Sequence, residues 1–425
     1  MLVTIQDYID AKLTHSRHTT ESRSFRGCRR RWNWIFNEFY YPVLTPKPLE
    51  FGVAYHCGME VLYAPSLWDK PEEVVVALAQ KAFVDTCAEQ YKKYVEHFGD
   101  DPEVEEDYKE RVELGREMLE YAAKTTRRKD KEEELTPVLV EVKFEVPLEE
   151  NGEQIWCTCK TCFNRFLAWV EENDPEWLAE VNFDETVEGA GRESYRQLFW
   201  QGLPVTYGGR IDAILKGPDG RIWVVDWKTA KQLSEETAVF LLLDDQITRY
   251  LAAMKKCGYR VAGFIYHEQK KAVPSEPKLL TRRVKGKLFS TNKAEANFTL
   301  ETFVKTVEEN DPEGYDDGAY NEFINWLHDN PTKFHERHRV PRNDNELDEA
   351  WESLTMEALD MSDPNLRIYK NAGRFNCNNC AFRQPCLGKN NGEDYLYTLK
   401  TLFEKRKYHY YEDAPLATEQ GGRAQ

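Results

Sequence analysis

Apolar residues recur at helical spacing through LEFGVAYHCGMEVLYA, and the same spacing continues through PEEVVVALAQKAFVDTCAEQYKKYVEHF and VEEDYKERVELGREMLEYAA. The first third of the chain is therefore expected to be mainly α-helical. It is preceded by RSFRGCRRRWNWIFNEFYY, read as a short helix and a loop that Pro42, Pro46 and Pro48 end. At Pro137 the pattern changes to PVLVEVKFEVPL, whose near-alternating polarity predicts a strand. Two further apolar runs, PVTYGGRIDAILKG and RIWVVDWKTAK, flank Pro218-Asp219-Gly220 and predict an antiparallel hairpin. A helix is expected from about Glu235 to Lys256, and RVAGFIYHEQ reads as another strand. Strand, hairpin, helix and strand together predict a compact α/β core.

These elements divide the chain into a helical N-terminal region at 1–134 and a core at 135–270, with an insertion at about 150–205. The insertion is expected to hold a helix at 163–172 and an acidic loop from Asn173 to Glu193. A polar extension at 271–375 carries Arg282, Arg283, Lys285 and Lys287 and helical pieces at 295–309 and 318–328. A cysteine-bearing segment at 376–414 and a flexible polar tail at 415–425 complete the chain. Its 425 residues, 41% of them apolar, suffice for two or three core-sized units and exclude a disordered chain. No stretch approaches the ~18 apolar residues of a membrane span, and the N-terminus lacks a basic-then-apolar signal pattern. A soluble, cytoplasmic chain is expected. The net charge of −17 disfavours indiscriminate coating of nucleic acid but leaves room for a local basic groove.

The candidate chemistry centres on the hairpin. Asp212 lies near the middle of its first strand, and Asp226 and Lys228 lie on the second, two residues apart and so on one face. Two carboxylates and an ammonium can converge there, and a hard divalent cation would offset the cost of gathering them. A solvent-facing salt bridge is the plain alternative. Gln246 and Tyr250 share one helical face about 6 Å apart along the axis. Gly52, His56 and Glu60 likewise share a face, with the glycine allowing another segment to approach.

Ten cysteines without a secretion signal suggest thiol or metal chemistry rather than disulfides. Cys377, Cys380 and Cys386 form one cluster and Cys157, Cys159 and Cys162 another, while Cys28 stands beside an arginine run. By spacing, Cys28 with the C-terminal three can bind either structural zinc or an iron-sulfur cluster. For Cys157, Cys159 and Cys162 the expectation is reduced thiols, with Cys157 and Cys159 on one strand face, because no neighbouring residue completes four ligands; a second metal is the alternative.

Taken in order, Gly52-x-x-x-His56, a strand with Glu141, Gly-Gly-Arg-Ile-Asp212, Asp226-Trp-Lys228-Thr and Gln246-x-x-x-Tyr250 resemble the RecB-like branch of the PD-(D/E)XK nucleases. The cysteines resemble the iron-sulfur arrangement of AddB and the CRISPR-associated exonucleases. The resemblance implies a restriction-endonuclease-like α/β core, a mixed sheet flanked by helices. It implies Mg²⁺ or Mn²⁺ held by His56, Asp212, Asp226 and the Trp227 carbonyl, Lys228 as the group acting on water, and Gln246 and Tyr250 positioning substrate. Glu141 would stand behind the metal ligands. Cys28, Cys377, Cys380 and Cys386 would hold a 4Fe-4S cluster. Arg29, Arg30, Arg31, Arg374 and Arg383 near it, and Arg282 and Arg283 in the extension, would contact DNA phosphates.

The activity so implied is a metal-dependent deoxyribonuclease, an exonuclease on DNA ends or single strands serving recombination, repair or phage DNA metabolism. No phosphate-loop motif is present, so any unwinding would come from a helicase or recombinase partner or from substrate already open. The rival readings are a non-catalytic DNA-binding or assembly protein that keeps the nuclease fold, and a structural zinc protein with a surface salt bridge.

Overall fold

A computed structural model describes residues 4–42, 47–173, 175–176 and 201–405. Most of the acidic loop at 173–193 and the polar tail at 415–425 lie outside the described residues.

The elements that position the centre of the molecule run in this order: β1 (His15–Arg17), α1 (Thr19–Gly27), α2 (Lys47–Leu62), α3 (Glu72–Phe98), α4 (Pro102–Ala122), β2 (Thr136–Pro147), β3 (Trp156–Cys157), α5 (Lys160–Asn173), β4 (Leu203–Lys216), β5 (Ile222–Ala230), α6 (Asp245–Lys256), β6 (Val261–Lys270), β7 (His335–Val340) and α7 (Asp344–Ser362). A mixed sheet runs β2-β4-β5-β6-β7, with β1 and β3 also paired to β4; it is antiparallel except for the β1–β4 pair and the β5–β6 pair, whose crossover contains α6. One face carries α2, α3 and α4 through Tyr55, Met59, Phe83 and Leu119 packed on Leu215, Val225 and Ile265. The other carries α5, α6 and α7 through Phe166, Leu251 and Leu354 packed on Ile214, Val224 and Phe264. A central strand covered on both faces loses its polar alternation, and β4 is accordingly buried along nearly its whole length.

The hairpin forms as its turn chemistry predicts. Gly220 takes φ +76°, its N–H donates to the Gly217 carbonyl at 3.0 Å, and Asp219 Oδ1 accepts from the Arg221 N–H at 3.0 Å. The single helix expected over 235–256 is two, Glu236–Leu241 and α6. Asp244 divides them: in extended backbone, its carboxylate accepts from the N–H groups of Gln246 at 2.7 Å and Ile247 at 3.3 Å, and Arg23 of α1 holds it at 3.0 Å. Arg26 of the same helix pairs with Asp245 and with Glu357 of α7.

The extension at 271–375 supplies more than helices. The charged run His335–Val340 is edge strand β7, and the expected helical pieces earlier in the extension begin at Leu300 and Asn321. Its charges are consumed internally. Arg337 bonds Asp130 at 2.7 Å, Tyr63 donates to Asp130 at 2.7 Å, and His267 bridges Asp130 at 3.3 Å and His335 at 3.0 Å. Asp130 is wholly buried and His267 nearly so. Burial opposes the charge on Asp130, but His267, Arg337 and the Tyr63 hydroxyl hold its pKa below the carboxylate range. Burial, then the neighbouring His267, drives His335 down to about 3.

Asp130→Ala removes the buried carboxylate shared by Arg337, His267 and Tyr63, leaving Arg337 with Glu133 alone, and is expected to cost ~3–5 kcal/mol in urea unfolding. The unfolded chain protonates His335 near pH ~6.5, whereas the folded chain does so only near 3. Stability is therefore full above the unfolded value and falls as pH drops below it, and His335→Gln should flatten melting temperature against pH between the two values.

Candidate active site

The site lies where two strands part. β4 and β5 are in register only from Ala213↔Val225 to Lys216↔Ile222, and upstream the same edge of β4 is taken by β1 from His15↔Val205 to Arg17↔Tyr207. Residues 208–212 fall between the two pairings. Asp212, the first residue beyond the hairpin ladder, accepts the Trp227 backbone N–H on its Oδ2 at 2.9 Å, so a side chain replaces a ladder bond across the fork. Trp227 is fully buried against Tyr63, with ring centroids 4.9 Å apart, and anchors the β5 end of this bridge.

Around the fork, His56 of α2 places Nδ1 3.4 Å from Asp212 Oδ2. Glu141 of β2, opposite Asp212, joins them: one ligand atom from each of His56, Glu141 and Asp212 lies within 4.8 Å of the others. Glu141 has φ +51°, a left-handed conformation in the middle of a strand, where the β2–β4 register passes from Val140↔Ala213 to Val142↔Ile211. Such strain is uncommon in a non-glycine residue. Arg210 forms an ion pair with Glu141. Asp226 and Lys228 stand on β5 beside this group, with Nζ 2.6 Å from Asp226 Oδ1.

The electrostatics follow from crowding in a buried place. Burial works against ionised Asp212, but His56, Lys228 and the Trp227 N–H hold it low. Asp226 is raised, by burial and by Asp212, against the pull of Lys228. Burial, then Asp212, pushes Glu141 up to about 7. Burial disfavours protonated His56, yet Asp212 raises it. Three carboxylates within reach of one imidazole and one ammonium form an oxygen-rich donor set that a hard divalent cation would satisfy.

Gln246 and Tyr250 occupy a half-exposed face of α6, whose intervening residues Ile247, Thr248 and Arg249 are buried. The Tyr250 ring packs edge-on against Phe144 at 5.5 Å over Gly209, where a Cβ would lie 2.6 Å from the Phe144 ring. At Gly208 a Cβ would collide with Ser16 Oγ, so the glycine pair lets β1 and α6 close on the strand just before the fork. Gly52, by contrast, has nothing within 4 Å of a Cβ, and no segment among the described residues uses the approach expected of it.

The arginines and cysteines expected at a second site take several roles. Arg29 stacks on Phe25 and Tyr369, Arg30 donates to Cys386 Sγ at 3.4 Å and Asn390 at 3.2 Å, and Arg31 donates to Ser24. Arg283 is tied to Asp311 at 2.6 Å, whereas Arg282, Arg374 and Arg383 are exposed. Cys28 caps α1 and accepts the Asn371 N–H at 3.5 Å, while Cys377, Cys380 and Cys386 lie on the segment packed against Trp34 and Tyr40. Among the described residues, no three of these four sulfurs share the 4.8 Å spacing of a single-ion site. Cys157, Cys159 and Cys162 do, together with His15, a fourth partner that sequence spacing left unidentified. Arg210, the ion-pair partner of Glu141, was signalled only by its place between the glycine pair and Asp212.

No helix among the described residues is long and apolar enough to cross a membrane. No curated protein matches the chain. A family model does, over residues 19–387, which span α1, both flanking layers, the fork and the C-terminal cysteines. With a mixed sheet between helices and acidic residues at its fork, the chain belongs to the PD-(D/E)XK nuclease superfamily.

Proposed function

We propose that the protein is a metal-dependent deoxyribonuclease that hydrolyses phosphodiester bonds at DNA ends or in single strands. The observation that carries this reading is the convergence of His56, Glu141 and Asp212 within 4.8 Å, beside the Asp226–Lys228 pair. A surface salt bridge would leave Asp212 and Asp226 in water, whereas both are more than nine-tenths buried. The preference for ends or single strands rests on the resemblance of the motif order to the RecB-like branch.

In this reading His56, Asp212, Asp226 and the Trp227 carbonyl would hold Mg²⁺ or Mn²⁺, and Glu141, placed behind them by the resemblance, comes close enough to His56 and Asp212 to join them; the imidazole makes Mn²⁺ a good fit. The ion when bound would polarise the scissile phosphate and acidify an attacking water. Lys228, held by Asp226, orients that water and stabilises charge developing on the phosphate. Trp227 fixes both residues by burying its ring between them in sequence. Gln246 and Tyr250 steady the substrate backbone from α6, and exposed Arg282 supplies a phosphate contact outside the fork. A helicase or recombinase would open duplex substrate.

Cys28, Cys377, Cys380 and Cys386 are proposed to hold a 4Fe-4S cluster that joins the two ends of the chain. Their wider spread favours a polynuclear cluster over a lone zinc ion, and N–H donors from Asn371 and Arg30 already face two of the sulfurs.

The test is degradation of end-labelled single- and double-stranded DNA by anaerobically purified protein with Mg²⁺, Mn²⁺ or EDTA. Asp226→Ala should reduce cleavage to the EDTA background, and Lys228→Ala should lower the rate by ~10²–10³-fold. An Asp226→Ala protein that cuts like the wild type would end the proposal; DNA binding without cleavage by either would assign the fold a non-catalytic role. Glu141→Gln should raise the metal concentration for half-maximal cleavage by at least ~10-fold. An unchanged metal titration would remove Glu141 from the ligand set.

A further inference from the structure

We propose that His15, Cys157, Cys159 and Cys162 form a structural zinc site, separate from the nuclease centre and from the C-terminal cysteines. His15 Nδ1 lies 2.8 Å from Cys162 Sγ and 3.7 Å from Cys159 Sγ, and the latter two sulfurs are 3.5 Å apart. With Cys157, all four ligand atoms fall within 4.8 Å of one another. A tetrahedron with Zn–S of about 2.3 Å and Zn–N of about 2.0 Å has edges of about 3.5–3.8 Å. Two of the measured edges already match, and the shortest opens by less than an ångström or so on insertion of the ion.

The donor chemistry selects the metal. Three thiolates and one imidazole suit Zn²⁺ and disfavour the hard cations that the fork would take. All four positions are filled by protein, which marks a closed, structural site rather than a catalytic one. Cys157 and Cys162 are at most 1% exposed. Three thiolates around a divalent ion leave one negative charge, and Arg17, on the same face of β1 as His15, is 1% exposed and within electrostatic reach of all three sulfurs, while its Nη1 donates to the buried Glu21 at 2.6 Å. Its Nε has no hydrogen-bond partner among the described residues.

The site is also built from segments that need fastening. His15 pairs with Val205 and Cys157 with Leu203, at the start of β4 on its opposite edges, and Cys162 lies in the first turn of α5. Arg165 of α5 donates to the carbonyls of Thr14 at 2.6 Å and Lys12 at 2.8 Å, holding the chain before His15. Gly202, where the insertion returns, takes φ +81° and lies so close to the Cys157 carbonyl that a Cβ would collide with it. One ion would therefore lock β1, β3 and α5 to the strand that runs on to Asp212.

The experiment is zinc and iron analysis of the full-length protein by mass spectrometry, with iodoacetamide labelling of the native protein before and after chelation. One zinc per chain is expected in the wild type and in Cys380→Ser, and none in Cys159→Ser. His15→Cys, which keeps a fourth ligand, should retain the ion. Cobalt substituted for zinc should give the intense visible absorption of a tetrahedral thiolate site, lost in Cys159→Ser. If Cys159→Ser fails to fold, the wild type and His15→Cys decide by stoichiometry and by protection of Cys159 from alkylation. Zinc that follows Cys380 rather than Cys159, or a zinc-free native protein whose Cys159 alkylates freely, overturns the proposal. None of these readouts depends on whether the chain cuts DNA.

Discussion

The molecule is organised around one substituted hydrogen bond. Where β4 leaves β5, the Trp227 N–H loses a strand partner, and a buried donor without a partner costs ~1–3 kcal/mol. Asp212 meets that need with its carboxylate at 2.9 Å, and so a charged group is fixed inside a sheet that is apolar on both faces. Everything else at the fork answers that charge: His56 from the helix above, Lys228 from the neighbouring strand, and the lack of any side chain at Gly208 and Gly209, which lets α6 and β1 close around it.

The two faces of the sheet contribute differently. The α2–α4 side brings His56 and, through Asp130, Tyr63 and Arg337, a polar network that pins edge strand β7. The α5–α7 side brings the face with Gln246 and Tyr250. Buried ionic networks of this kind add little stability over an apolar core of the same shape, and removing one member is costly. Their effect here is positional: β7 is too charged to be held by hydrophobic packing alone, and the network sets its register against β6.

Those features that depend on near neighbours were legible in the sequence. The Pro-Asp-Gly turn specifies the hairpin, the two-residue spacing of Asp226 and Lys228 places both on one face, and the four-residue spacing of Gln246 and Tyr250 does the same on α6. Features that depend on distant residues were not. His15 and Cys162 are 147 positions apart, and nothing in a cysteine spacing points to a histidine on another strand. The run His335–Val340 passes unmarked within the polar extension because its burial partners, Asp130 and His267, lie elsewhere in the chain. Asp244 sits inside an apolar helical pattern, and only its capping bonds and Arg23 show why the helix divides there. Glu141 reads as an ordinary polar strand position, because a left-handed backbone leaves no trace in residue type.

The ion pairs from α1 have a mechanical meaning. This helix of about two and a half turns ends at Cys28, and from its body Arg23 and Arg26 reach Asp244 and Asp245 at the start of α6. Cys28 and the Gln246–Tyr250 face are thus connected in series by a stiff rod and two charged couplings. The seating of the helix that carries Gln246 and Tyr250 is set partly from outside the sheet, by two arginines on the helix that Cys28 caps.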